Sequence, residues 1–257
     1  MKNSIKLITA ELIHKPNWKF KNQSLIMSNL ERNGFHIIDD FLTKDEALAL
    51  KHSSEKIIDS KREYVSIESN GSDIRLYGID KLDTTFSKKL LNVNVVRTTL
   101  NKFYFMIREL QTFVLYGKIQ SDKNNLGSGG GWHRDSPFTH QFKVIVYLSD
   151  VGSNNGPFMY LQNSHKYKFL KKVSHLLSKS LSEDRFTEEE INLIEKKIPE
   201  LKRIEFLGKE GTAIMVNTRG LHSGKIIEEN SREALTLYTY NRGLPKSITS
   251  LPLFGKP

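Results

Sequence analysis

The spacing of apolar residues changes near the middle of this chain. In the first part, apolar side chains recur every three or four positions over long stretches, which is typical of helices with one buried face. From about residue 112 onward, short runs of β-branched and aromatic residues are separated by Gly and Asn, which is typical of strands joined by turns. The pattern therefore predicts leading helices followed by a mainly β core.

The helical part has a clear start signal. Thr43 and Glu46 precede an apolar stripe with the spacing of a capping box, in which each residue bonds the backbone N–H of the other. The predicted elements are an irregular N-terminal arm at about residues 1–30, a strand at 34–41, and helices at 44–60 and 86–108.

The second part predicts strands at residues 112–120, 142–148, 157–161, 211–216 and 234–240. Short strands after leading helices favour a sandwich or jelly roll with the helices packed outside. Because no internal repeat, low-complexity tract or clear linker occurs, we expect one domain over residues 1–257.

A polar segment at about residues 171–203 interrupts the predicted strands. Thr187 and Glu190 form a second capping box in it, and Ile191 and Ile194 follow at helical spacing. An insertion of this kind cannot enter the sheet without breaking its hydrogen bonds, so we expect it to lie over an end of the barrel as a lid that excludes water. A plain surface excursion is the alternative.

Composition narrows the possible chemistry. The 257 residues include no Cys, which excludes disulfides, thiolate metal sites and a Cys nucleophile, so any metal must be bound by His and carboxylates. The net charge of +10 favours anionic ligands. No stretch has the length and apolar character of a membrane span or a signal peptide, and we expect a cytoplasmic protein.

His133 and Asp135 follow a Gly-rich approach and stand two residues apart. On an extended segment both side chains project to the same side and can reach one metal ion. This pair alone is a weak signal, since a hydrogen-bonded pair in an exposed loop has the same spacing. His222, after a later predicted strand, adds a third ligand. Two His and one carboxylate form the facial triad that holds non-haem Fe(II) and leaves coordination positions open.

Arg232 lies at the start of the strand that follows His222. A guanidinium beside an iron site can bind the distal carboxylate of a keto acid through two parallel hydrogen bonds, a geometry that Lys cannot reproduce. A surface salt bridge is the usual alternative for a single Arg. The position of Arg232 after the second histidine favours the carboxylate clamp.

Several segments, in the same order, resemble the phytanoyl-CoA dioxygenase family of Fe(II)- and 2-oxoglutarate-dependent oxygenases. The segments are GFHIIDDFLTKDEA, WHRDS, VIVYLSDVGSNNGPFMYLQNSHK, GTAIMVNTRGLHSG and NSREALTLY. They cover roughly residues 33–240 and leave the N-terminal arm unmatched. The sequence departs from the family pattern at Gln162 and Asn163, where many relatives have Pro-Gly, and at Ser223, which directly follows the distal histidine.

The resemblance implies a mainly β fold with flanking helices and a double-stranded β-helix (jelly-roll, cupin-like) core. It also implies Fe(II) at His133, Asp135 and His222, with 2-oxoglutarate and O2 as cosubstrates and Arg232 holding 2-oxoglutarate. Gln120 occupies a place where relatives often present a polar group to the cosubstrate. The expected reaction is hydroxylation of a small, anionic metabolite with release of succinate and CO2.

Two other functions remain open at this point. A non-catalytic jelly-roll binding protein would explain the strands and turns, but not the triad together with Arg232. A nucleic-acid-directed oxygenase would explain the charge of +10. Because the basic residues are scattered and no aromatic-rich RNA or single-strand motif occurs, neither nucleic acid nor a membrane is an expected partner.

Overall fold

Two antiparallel sheets form the core of the part of the chain that the computed structural model describes, residues 24–68, 71–91, 93–104, 109–121 and 130–254. The strands are β1 (Phe35–Ile38), β2 (Ser66–Ile67), β3 (Asp73–Tyr77), β4 (Gln111–Gln120), β5 (Trp132–His133), β6 (Phe142–Tyr147), β7 (Phe158–Leu161), β8 (Arg185–Phe186), β9 (Arg203–Phe206), β10 (Ala213–Asn217), β11 (His222–Gly224) and β12 (Ser231–Tyr240). One sheet has the order β1-β10-β6-β12-β4-β3-β2, and the other β8-β5-β11-β7-β9. This confirms the predicted mainly β, jelly-roll fold.

Helices flank the two sheets, and the first five of these helices cover the outer face of the seven-stranded sheet. They are α1 (Leu25–Arg32), α2 (Lys44–Ser60), α3 (Ile79–Leu82), α4 (Thr85–Leu91), α5 (Asn94–Phe103), α6 (Tyr167–Leu176), α7 (Glu188–Lys197) and α8 (Lys246–Thr249), with a 3₁₀ turn at Arg62–Tyr64. Ala47 and Leu50 of α2 share one buried apolar cluster with Val144 and Leu235 of the sheet. Burial of this cluster holds α2 against the outer face of the seven-stranded sheet.

The face of the seven-stranded sheet opposite the helices forms one wall of a cavity, as the central strand β12 shows. It pairs along its length with β4 and over five residue pairs with β6. Leu235 and Leu237 point to the helices, whereas Ala234 and Thr236 line a cavity between the two sheets. This alternation follows from the two-residue period of a strand.

Strands β5 and β11 lie side by side in the five-stranded sheet, with His133 directly opposite His222. Trp132 and Leu221, the residues just before them, belong to an apolar cluster on the outer face. The alternation of side chains therefore sends both histidines to the cavity side of the sheet.

The segment at 171–203 differs from its expected position. Helices α6 and α7 pack through Phe169 and Ile194 on the outer face of the five-stranded sheet, in one cluster with Trp132. Strand β8 also joins that sheet beside β5, so the expectation that the segment stays out of the sheet is wrong. At the sheet edge, an added strand finds unpaired backbone groups and breaks no existing pairing. Its function as a lid stays a prediction.

Most other predicted elements are confirmed. The helix at Lys44–Ser60 has Thr43 as its N-cap with the capping box to Glu46. The single helix predicted at 86–108 is two helices, α4 and α5, with residues 105–108 outside the described residues. The end of the expected irregular arm is the helix α1, capped by Ser24. Among the described residues, no helix combines the length and the apolar character that a membrane span requires.

Candidate metal centre

His133, Asp135 and His222 meet on the cavity side of the five-stranded sheet. One ligand atom from each lies within 4.8 Å of the other two. The two imidazole rings face each other across the β5–β11 pair, with centroids 4.3 Å apart. The backbone N–H of Asp135 donates to the carbonyl of Thr218 at 3.0 Å, which holds the segment after β5 next to the end of β10.

The hydrogen bonds of the two histidines determine which ring nitrogen of each faces the other ligands. Nδ1 of His133 lies 2.9 Å from the carbonyl oxygen of Gly131, and Nδ1 of His222 lies 2.9 Å from that of Gly220. Because a carbonyl can only accept, each Nδ1 carries the proton and each Nε2 keeps its lone pair. Such outer contacts orient metal-binding histidines.

Burial keeps both rings neutral. It lowers the pKa of His222 to about 3, with a further contribution from the neighbouring His133. Burial also lowers the pKa of His133. Since a metal ion binds the deprotonated nitrogen, the site is prepared for a cation at neutral pH.

Asp135 is paired with a lysine that the sequence did not single out. Lys143 Nζ lies 2.7 Å from Asp135 Oδ2. Burial alone would raise the pKa of Asp135, but Lys143 and then the two histidines lower it well below its usual range. The side chain of Asp135 is 22% exposed. The carboxylate is therefore ionised and accessible.

The donor set fits Fe(II). Two neutral imidazoles and one ionised carboxylate are the three ligands of the non-haem iron facial triad, and their atoms lie close enough for one ion to contact all three. A ring held by the carbonyl of the glycine two residues before it does not need to turn to accept the ion.

A cavity of about 110 Å³ opens from this cluster into the space between the sheets. Arg232 of β12 lines it, is buried, and donates from Nη1 to the carbonyl of Gly156. Among the described residues, no carboxylate is in salt-bridge contact with Arg232. The guanidinium can therefore bind the carboxylate of a ligand. Ser223 also lines the cavity, and its hydroxyl donates to the carbonyl of Gly224 at 3.0 Å.

Gln120 does not lie where the resemblance places it. It is exposed at the end of β4, where its backbone N–H donates to the carbonyl of Ser72 at 2.8 Å. Its neighbour Ile119 lines the cavity, opposite Arg232 in the β4–β12 pair. Because neighbouring residues of a strand face opposite sides, the side chain of Gln120 points away from the cavity.

The structure adds a second arginine to the cavity wall. Arg75 of β3 lines the cavity, and Nε donates to the carboxylate of Asp73 at 2.9 Å while Nη2 donates to its other oxygen. This residue has no signal in the sequence, because β3 follows a turn in the helical half and carries no motif.

A second, larger cavity of about 480 Å³ lies on the other side of Asp135. His140 is buried in its wall. Its two ring nitrogens lie 2.7 Å from Nδ2 of Asn217 and 2.7 Å from Nη1 of Arg219. His140 is therefore part of a buried hydrogen-bond network beneath the cavity.

The jelly-roll sheets carry a His-Asp-His cluster whose three ligands match the facial triad of a non-haem iron site. The family model described as phytanoyl-CoA dioxygenase (PhyH) matches residues 30–227, most of the chain. The protein belongs to the phytanoyl-CoA dioxygenase family.

The chain is similar to a curated dioxygenase and to solved structures that contain a metal with 2-oxoglutarate. An ectoine dioxygenase from Halomonas elongata is 25% identical over 154 residues, which cover 54% of this chain and 45% of the relative, slightly under half of its length. The epimerase SnoN in complex with Fe3+, alpha ketoglutarate and nogalamycin RO has a TM-score of 0.62 at 14% identity, over 90% of this chain and 91% of that one. HygX from Streptomyces hygroscopicus with nickel, 2-oxoglutarate and hygromycin B has a TM-score of 0.59 at 14% identity, over 88% and 90%.

Proposed function

We propose that this protein is an Fe(II)- and 2-oxoglutarate-dependent dioxygenase that hydroxylates a small, anionic metabolite and releases succinate and CO2. The observation that carries the proposal is the convergence of His133, Asp135 and His222 at the mouth of a cavity that also contains Arg232. Neither a binding protein nor a structural jelly roll needs two oriented histidines, an ionised carboxylate and a buried guanidinium around one cavity.

In this proposal each residue has a defined task. His133, Asp135 and His222 hold the iron, which when bound activates O2 for oxidation of both 2-oxoglutarate and the metabolite. Arg232 binds the distal carboxylate of 2-oxoglutarate in the cavity of about 110 Å³. That volume is well below the roughly 300–1,000 Å³ of drug-sized pockets, so it suits a small cosubstrate.

The larger cavity is the place for the metabolite. Its volume of about 480 Å³ lies within the usual range for a small-molecule ligand. Because Asp135 forms part of its wall, a molecule bound there lies beside the metal. Besides Asp135 and His140, its polar lining includes Tyr104, Ser136, Thr139, Gln141, Tyr240 and Arg242. Arg242 is the exposed cation of this set and would bind an anionic group of the metabolite.

The decisive experiment adds Fe(II) and 2-oxoglutarate to metal-free protein without oxygen, then admits O2 and measures succinate. Carboxylate-bearing metabolites are then added singly, and ectoine comes first because the matched relative is named an ectoine dioxygenase. We expect succinate that depends on iron and rises with the correct metabolite, together with a product that contains one added oxygen atom.

The matched variants are His222→Ala and His52→Ala. His222 belongs to the cluster, whereas His52 is an exposed residue of α2. The first variant should form no succinate and the second should behave like the wild type. Succinate formation by His222→Ala at the wild-type rate would contradict the proposed iron site. The cytoplasmic location expected from the sequence stays a prediction.

A further inference from the structure

Lys143 is a buried lysine at the centre of the seven-stranded sheet, and the proposed reaction has not yet used it. It lies on β6, and its side chain is 6% exposed. Lysine is almost never this deeply buried without a partner, because the ammonium group loses its hydration. Lys143 has such a partner in Asp135, and it also lines the cavity between the sheets.

The contacts of Lys143 leave its ammonium group able to bind a further anion. Nζ lies 2.7 Å from Asp135 Oδ2 and 3.9 Å from the ring centroid of Tyr238. An ammonium group has three N–H donors, and these two contacts do not use all of them. Once Asp135 also binds a metal ion, its negative charge is shared between two cations. The charge of Lys143 is then available to the cavity that it lines.

Lys143 and Arg232 reach the same cavity from opposite ends. Tyr238 is the cross-strand neighbour of Lys143, and Arg232 lies six residues earlier on β12. Six residues correspond to about 20 Å along a strand, and both side chains line the cavity that lies along it. The other cation of this cavity, Arg75, is already balanced by Asp73.

We propose that Lys143 is a second anchor for the cosubstrate, which binds the carboxylate next to the 2-oxo group while Arg232 binds the distal carboxylate. This inference rests on the proposed function, because it adds a residue to the same 2-oxoglutarate site. The cosubstrate then has a cation of the protein at each end. Its orientation in the cavity is fixed by β6 and β12 as well as by the iron.

A cycle of two variants and two acids tests the assignment. Wild type, Lys143→Met and Arg232→Met are loaded with Fe(II) without oxygen and titrated with 2-oxoglutarate and with 2-oxopentanoate, which lacks the distal carboxylate. Loss of a charged hydrogen bond at Lys143 should weaken both acids by the same factor, about 10- to 100-fold. Arg232→Met should weaken 2-oxoglutarate alone.

The matched control is Lys118→Met. Lys118, on β4, pairs with Glu233 of β12 and is not part of the cavity wall. Its loss therefore removes the same charge without removing a cosubstrate contact. Both affinities should stay within about twofold of the wild type. Thermal unfolding of the metal-free proteins identifies a folding defect, and Lys143→Gln, which keeps a donor without the charge, replaces Lys143→Met if that variant does not fold.

Three outcomes would overturn the inference. In the first, Lys143→Met binds both acids as the wild type does. In the second, it loses affinity for 2-oxoglutarate only. In the third, its Fe(II) affinity falls and accounts for the whole loss, which would mean that Lys143 serves Asp135 alone. A wild-type iron protein that binds neither acid would instead contradict the proposed function, and this inference with it.

Discussion

Arg232 is the single residue on which binding of a dicarboxylate should depend most directly. Its guanidinium is buried in the cavity and makes no salt bridge with a described carboxylate. Arg232→Lys keeps the charge but loses the planar pair of donors, so 2-oxoglutarate affinity should fall roughly 10- to 100-fold while Fe(II) affinity changes little. Anaerobic calorimetry with each ligand measures both. If this variant binds 2-oxoglutarate with wild-type affinity, another residue binds the distal carboxylate.

His165 predicts a specific acid sensitivity. Burial lowers its pKa to about 3 from 6.5, and its Nε2 lies 3.1 Å from the carbonyl oxygen of Glu31. Below about pH 6.5 the unfolded chain takes up a proton that the folded chain refuses, so this residue reduces stability by roughly 1.4 kcal/mol per pH unit on the way down to about pH 3.

The test of this prediction is urea unfolding of His165→Gln at several pH values between about 4 and 7. The free energy of unfolding should depend less steeply on pH than in the wild type. The same substitution at His175, an exposed residue of α6, is the control. An unchanged slope in His165→Gln would assign the acid sensitivity to other groups.

Residue identity and spacing were enough to select the metal cluster but not its surroundings. His133, Asp135 and His222 could be selected because two ligands share one short motif and the third follows a predicted strand. Lys143 could not, since a lysine in an apolar run has no local signal and its partner is known only once the fold is known. The expected position of Gln120 beside the cosubstrate differs from the structure because strand register decides which side of a sheet a side chain faces. A difference of one position along the strand reverses that side.

At the scale of elements, the turn between α1 and β1 depends on a glycine. Gly34 has φ +94°, and a Cβ atom there would lie 2.3 Å from Oη of Tyr160 and 2.7 Å from Nδ1 of His165. Gly71 has φ +74°, and a Cβ atom there would lie within 4 Å of no atom of the described residues beyond its chain neighbours. Gly71→Ala should cost about 1–2 kcal/mol of unfolding free energy from backbone strain alone. Gly34→Ala should cost clearly more because two buried side chains must also move. Equal losses in urea unfolding would show that the contacts yield freely.

Helix α7 should stabilise the strand that carries His133. Ile194 is fully buried in the cluster that also contains Trp132, whereas its neighbour Leu193 is 38% exposed. Ile194→Ala should cost about 2–5 kcal/mol, and Leu193→Ala roughly 0.5 kcal/mol or less. Chemical unfolding of both variants measures the difference. Comparable small losses would mean that α7 packs only loosely on the sheet.

Elements with a strong period or a cap were predictable, and elements formed by long-range pairing were not. The capping boxes at Thr43 and Thr187 each begin the expected helix. Strand β8 has two residues and no pattern of its own, and it exists because β5 offers it an edge. Helix α1 was missed because eight residues show too little period to be separated from an irregular arm.

At the scale of the whole molecule, the net charge of +10 should act on cosubstrate binding. A positive protein attracts a dianion more strongly than a monoanion, and salt screens the difference. Raising NaCl from roughly 50 to roughly 500 mM should therefore weaken 2-oxoglutarate more than 2-oxopentanoate. Titration of the anaerobic iron protein measures both affinities. If the two affinities depend equally on salt, the net charge of the protein does not act on binding, and local contacts in the cavity account for the affinities.

The pairing of β5 with β11 has a consequence for the lifetime of the protein. The register joins these strands at one residue pair, and that pair is His133 and His222. So short a strand pairing opens easily, and a metal ion bound by both imidazole rings would stabilise it. Proteases act on opened forms, so their rate follows how often the strands part. We therefore expect iron starvation to shorten the survival of the polypeptide, beyond its effect on turnover.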